Sequence, residues 1–80
     1  MPRRVVLYGK PGCHLCSIVE LLLLGLRKEF ELVVLKVDIS KDASLYEEYG
    51  AKIPVVVIDD RTILAAPIRV QDLRDALSGS

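Results

Sequence analysis

The chain has 80 residues, 51% of them apolar and 28% charged, with eleven basic and eleven acidic side chains that cancel. That balance describes one soluble globular domain over residues 1–80 with a single core, and it argues against disorder. No like-charge block exceeds two residues, so nothing attracts nucleic acid or an anionic membrane, and the longest apolar stretch, Ile18 to Leu26, is interrupted by Glu20 and falls well short of the roughly 18 residues of a membrane span.

Met1-Pro2-Arg3-Arg4 precedes only a short apolar run, Val5-Val6-Leu7-Tyr8, which is too brief a core for a secretory signal, so a cytoplasmic protein is expected. Arg3 to Tyr8 reads as a central strand covered on both faces, because it is apolar, rich in β-branched residues and stops at Gly9. Gly9, Pro11 and Gly12 then turn the chain tightly. Leu15, Ile18, Val19, Leu22, Leu26 and Phe30 follow at helical spacing as the stripe that packs on the sheet, while Leu21 and Leu24 lie off it. Leu32 to Ile39 is a second apolar run, and a helix between two such runs implies a right-handed crossover between parallel strands. Ser40 is placed to cap a short helix carrying Leu45, Tyr46 and Tyr49, which Gly50 ends. After Ile53-Pro54 comes Val55-Val56-Val57-Ile58, then a turn at Asp59, Asp60 and Arg61, then Thr62-Ile63-Leu64-Ala65, which so short a link joins only as a hairpin. Asp59 and Asp60 are read as turn formers with no further role. Pro67 breaks the strand, and Val70, Leu73, Ala76 and Leu77 form the inner face of a closing helix.

The chemistry concentrates at Cys13-His14-Leu15-Cys16, which opens the first helix. Residues three apart share a helix face, so the two sulfurs can close a disulfide, and unpaired amides at a helix start favour a thiolate. Cys13, at the helix edge, is the expected nucleophile, with a pKa that such sites lower from about 8.5 to roughly 3.5–7.5. Lys10 and, when protonated, His14 add positive charge nearby. Cys16, one turn inward, is the expected resolving thiol. Zinc is the first rival, but structural zinc takes four ligands and the chain holds only two cysteines and one histidine. Haem attachment needs a histidine after the second cysteine, where Ser17 stands. An inert buried pair is the remaining alternative, and it does not explain the spacing beside a Gly-Pro break.

With its order of strand, helix, strand, helix, strand, strand, helix, Lys10-x-x-Cys13-x-x-Cys16 and Ile53-Pro54, the chain resembles the thioredoxin superfamily, and within it the small glutaredoxin-like members. The resemblance implies an α/β thioredoxin-like fold, βαβαββα, with a four-stranded mixed sheet flanked by helices. It implies a thiol–disulfide oxidoreductase acting through Cys13 and Cys16 on small-molecule or protein disulfides, with electron transport as its role and a reductase to recycle it. It also implies a cis bond at Ile53-Pro54 opposite the dithiol, exposing backbone to an added peptide strand. Lys10 either meets the carboxylate end of glutathione or is a solvated loop residue, and both readings stand. His14, Ile53 and Pro54 complete the substrate-binding set. No cofactor is expected to be bound, glutathione is a candidate co-substrate, and a monomer is expected. The alternative is a binding module in which Cys13 and glutathione hold an iron–sulfur cluster, or in which the fold docks a partner. Two departures stand out: thioredoxins have a tryptophan before the first cysteine and an acid in the preceding strand, both missing here, and the glycine pair that follows the hairpin in glutaredoxins is Leu64-Ala65.

Overall fold

A computed structural model of the chain describes residues 2–79. Seven main elements follow in the order β1 (Arg3–Gly9), α1 (His14–Leu26), β2 (Leu32–Asp38), α2 (Ala43–Tyr49), β3 (Val55–Ile58), β4 (Thr62–Ala65) and α3 (Val70–Ser78), with one 3-10 turn over Ile39–Lys41 before α2. The strands form one sheet in the order β2-β1-β3-β4. β1 pairs in parallel with β2 from Arg3 opposite Leu32 to Gly9 opposite Asp38. It pairs antiparallel with β3 from Val5 opposite Ile58 to Tyr8 opposite Val55, and the β3–β4 hairpin sets Val55 opposite Ala65. This is the α/β, thioredoxin-like arrangement with a mixed sheet that the element order implied.

Alternation along β1 sends Val5 and Leu7 to one face, where they meet Val56 and Ile58 of β3, Leu23 and Leu26 of α1, and Leu73 and Leu77 of α3 in the main core. The opposite face receives only the two-turn α2. Tyr49 packs its ring against Tyr8 with centroids 4.7 Å apart, and beyond that contact Leu35 and Ile63 remain exposed. β1 is therefore central, as its apolar run suggested, but fully covered on one face only.

The buried side of α1 is Cys16, Val19, Leu23 and Leu26. This corrects the sequence stripe: Leu15 is 56% and Ile18 39% exposed, while Leu22 and Phe30 are only partly buried against the core. Because α1 is apolar almost all round, its period does not fix its phase; α3 and the sheet do. Val70 is likewise exposed rather than on the inner face of α3.

The caps also differ from expectation. Asp42, not Ser40, caps α2, its carboxylate accepting the Leu45 amide at 3.1 Å. Ser40 instead donates its amide and hydroxyl to Asp38, at 2.9 and 2.6 Å. At the hairpin tip, Asp59 and Asp60 adopt φ of 53° and 58°, a left-handed conformation that Asp tolerates better than most residues. Asp59 does more than turn: its carboxylate accepts the Arg4 amide at 2.9 Å and the Arg3 guanidinium. Arg3 also donates to the Leu77 carbonyl at 2.6 Å, so one side chain joins β1, the hairpin tip and the end of α3.

Candidate redox site

β1 ends at Gly9, and the chain reverses through Lys10–Gly12, where Gly12 takes φ +80°, a value that suits glycine. Cys13 occupies the N-cap of α1 with extended backbone (φ −84°, ψ 105°), and its carbonyl already accepts the Ser17 amide at 3.2 Å. The side chain that caps this helix is therefore a sulfur. Cys13 Sγ accepts the Cys16 amide at 3.2 Å, one of the helix-start donors that have no partner within the helix.

Cys13 and Cys16 are joined in a disulfide, with Cα atoms 5.2 Å apart. Their burial differs: Cys16 is 7% exposed, whereas Cys13 is half-buried at the helix edge. Gly9 explains how Cys16 fits. A Cβ at Gly9 would lie 3.0 Å from Cys16 Sγ, closer than an ordinary contact, so a side chain there would press on the inner sulfur. Sequence reasoning took Gly9 as a strand stop and missed this contact, for which a single sequence carries no signal.

The other expected site residues fall around this pair. Ile53-Pro54 is cis, with Pro54 buried and Ile53 half-buried. Since Val55 pairs with Tyr8, Pro54 stands one step further along, level with Gly9 and the start of the cysteine turn. The Ile53 amide donates to the Tyr49 carbonyl at 3.1 Å. His14 is exposed on the first turn of α1. Lys10 is exposed, and its Nζ lies 5.7 Å over the Tyr46 ring, a cation–π placement. A second cis bond, Ala66-Pro67, follows β4 and was not anticipated from the sequence.

On the β2 side, a cleft of about 310 Å³ reaches Cys16 between the start of α1 and the end of β2. Glu20 and Lys36 span it with a 3.1 Å ion pair, and Ser17, Lys10 and Asp38 line its rim. The Ser40 hydroxyl and amide hold the Asp38 carboxyl below the ordinary carboxylate range, since both bonds favour its charged form. Among the described residues no helix is long and apolar enough to cross a membrane.

A mixed sheet with β1 central, a dithiol at the start of the following helix and a cis-proline level with it define a thioredoxin-like protein with a redox-type cysteine pair. The chain belongs to the Glutaredoxin-like domain family (DUF836), whose match covers residues 4–78. Among solved structures it is similar to target protein XcR50 from X. campestris, at 29% identity and TM-score 0.82 over 95% of this chain and 97% of that one. It is similar to protein Ne2328 from Nitrosomonas europaea, at 25% identity and TM-score 0.81 over 96% and 93% of the two chains. A mutant thioredoxin from Halobacterium salinarum shares the fold at 18% identity and TM-score 0.77, over 96% of this chain and 73% of that one. Among curated proteins no sequence match is found.

Proposed function

We propose that the protein is a thiol–disulfide oxidoreductase in which Cys13 attacks and Cys16 resolves. The observation that carries this reading is the asymmetry of the pair: Cys13 caps α1 and takes the Cys16 amide, while Cys16 is buried one turn inward. The same amide that caps the helix lowers the cost of negative charge on Cys13 once the disulfide is opened, because it bonds the thiolate more strongly than the neutral sulfur.

The reaction runs in two exchanges. The Cys13 thiolate attacks one sulfur of a substrate disulfide, a Cys13–substrate bond forms, and the other substrate sulfur leaves as a thiolate. Cys16 then loses its proton to water and attacks Cys13 Sγ; the mixed disulfide breaks, and the second substrate sulfur leaves. Two electrons have passed to the substrate and the pair is oxidised, the state seen here. A cytoplasmic dithiol reductant or reductase running the steps in reverse restores the thiols. Pro54 and Ile53 form the wall against which the substrate chain lies, with His14 and Lys10 at its rim.

Cys16→Ser is expected to trap a stable mixed disulfide on Cys13, and Cys13→Ser to abolish exchange. Thiol-specific mass spectrometry after incubation with a model disulfide checks both. Undiminished exchange in both variants would sink the assignment.

A further inference from the structure

β2 forms one edge of the sheet, and that edge is unguarded. Its seven residues, Leu32–Asp38, include no proline or glycine and match β1 one to one without a bulge. Natural edges are blunted by charge, proline, a bulge or shortness, because their outward N–H and C=O groups otherwise accept another strand. The one charge before the last residue of β2, Lys36, is already paired with Glu20. β4, at the other edge, is only four residues long.

The outward groups of β2 can be assigned. The Arg3 amide donates to the Glu31 carbonyl at 2.8 Å, and Arg3 stands opposite Leu32. In a parallel ladder this turns the odd-numbered residues of β2 toward β1 and leaves the amides and carbonyls of Leu32, Val34 and Lys36 pointing away from the sheet. Those groups are self-complementary. About a two-fold axis at Val34, a second β2 sets Val34 opposite Val34 and Leu32 opposite Lys36 as hydrogen-bonded pairs, with Val33 opposite Leu35 on either side of the axis as the closer, non-hydrogen-bonded pairs. Val33 and Leu35 are both exposed in the single chain, on the face that α2 leaves open.

The same axis suits the other face. α1 runs antiparallel to β2, and its Glu20 is level with Lys36. From Lys36 back to Val34 is about 6.6 Å of strand, which a helix covers in about four residues, so Leu24 is level with Val34. Leu24 shares the β2 flank of α1 with Glu20, four residues before it, and is exposed. α1 and α3 share the width of the four strands, so α1 lies over β1 and β2, and two copies joined at β2 bring their α1 helices about 10 Å apart, the ordinary spacing of packed helices. Leu24 then meets Leu24 at the axis, and Glu20 faces Lys28 of the second copy, so opposite charges meet on both sides of it. The zero net charge of the chain adds no long-range repulsion.

We propose that the protein forms a two-fold dimer through the β2 edge, with one continuous sheet across both copies, in place of the monomer expected from the sequence. Ile53-Pro54 lies on the β3 side of β1, so the joint leaves that side of the dithiol open.

Sedimentation of the oxidised full chain over a dilution series tests this, because Cys13 and Cys16 are then paired with each other and form no bond between copies. A species of twice the chain mass is expected to dissociate on dilution, and in it the Leu32, Val34 and Lys36 amides should exchange with deuterium at least about tenfold more slowly than in the monomer. Leu35→Lys and, separately, Leu24→Glu should each weaken dimerisation at least about tenfold, with the fold intact by circular dichroism. A chain that stays monomeric up to about 1 mM would overturn the dimer. A dimer whose Leu32, Val34 and Lys36 amides exchange as fast as in the monomer would place the joint elsewhere and overturn the β2 edge. Either variant dimerising as tightly as wild type would overturn the register about Val34.

Discussion

Asp59 turns the β3–β4 hairpin with its backbone and holds β1 with its carboxylate. The Arg4 amide first, then the Arg3 guanidinium, keep that carboxyl below the ordinary value. A carboxyl whose folded pKa is depressed contributes stability that is fully present above its unfolded value, about 3.9, and lost as pH falls through the lower folded value. Asp38 and Asp72 shift the same way. Urea midpoints measured from pH 7 downward should therefore fall as acid is added below about pH 4. Asp59→Asn should lower the midpoint at pH 7 and remove part of that slope, leaving the share due to Asp38 and Asp72. An acid slope identical to wild type would show that the Asp59 contacts do not persist in solution. Gly9 is the other residue whose effect outruns its size. A methyl there meets Cys16 Sγ and Cβ at 3.0 and 3.1 Å, so Gly9→Ala should cost about 1–3 kcal/mol, the usual penalty of overpacking. It should also slow closure of the Cys13–Cys16 disulfide, read as the rate of thiol loss after mixing with oxidant; closure at the wild-type rate would contradict the contact.

At the scale of the element, α1 separates what the sequence carries from what packing decides. Its start was legible because the signals are local: a Gly-Pro turn, two cysteines at helical spacing and an apolar run behind them. Its phase was not. Leu21, Leu22, Leu23 and Leu24 are consecutive, and with Leu15, Ile18 and Leu26 they offer several apolar stripes; the one chosen is the one that α3 and the sheet can cover. The energetic consequence is a contrast between two leucines eight residues apart. Leu23 is fully buried, and Leu23→Ala should cost about 2–5 kcal/mol in urea unfolding. Leu15→Ala, at a largely exposed position, should change stability by no more than about 0.5 kcal/mol. Equal losses would mean that the helix sits in a different rotation. The caps tell a similar story on a smaller scale: Asp38, Ser40 and Asp42 are all residue types that cap helices, and only geometry assigns Asp38 to the 3-10 turn and Asp42 to α2.

Across the whole molecule, the order of elements, the parallel crossover and the hairpin could be read from the chain because each follows from periodicity or link length. The cis bond at Ile53-Pro54 came from family resemblance and not from local chemistry, and the one at Ala66-Pro67 had no signal at all. Contacts between residues far apart in sequence were equally silent: Arg3 with Asp59, 56 positions away, and Glu20 with Lys36 across the cleft. The uneven clothing of the sheet belongs to this scale too. α1 and α3 cover one face, while the two turns of α2 leave Leu35 and Ile63 open on the other. Lys36→Glu would set like charges against Glu20 at the cleft mouth, and it should lower the urea midpoint slightly, with the loss shrinking as salt is raised; a loss independent of salt would point to packing and not charge.

The Arg3 clasp has one more consequence. Arg3 is at the opposite end of β1 from Gly9, some 20 Å from the sulfurs at strand spacing, and its guanidinium holds the last turn of α3 through Leu77. Both ends of the described chain thus leave the domain side by side, on the face away from Cys13. A fluorescent protein, an affinity handle or a second copy attached to either end would trail behind the dithiol and leave its approach open, and a short bridge between residues 3 and 77 would suffice to circularise the chain.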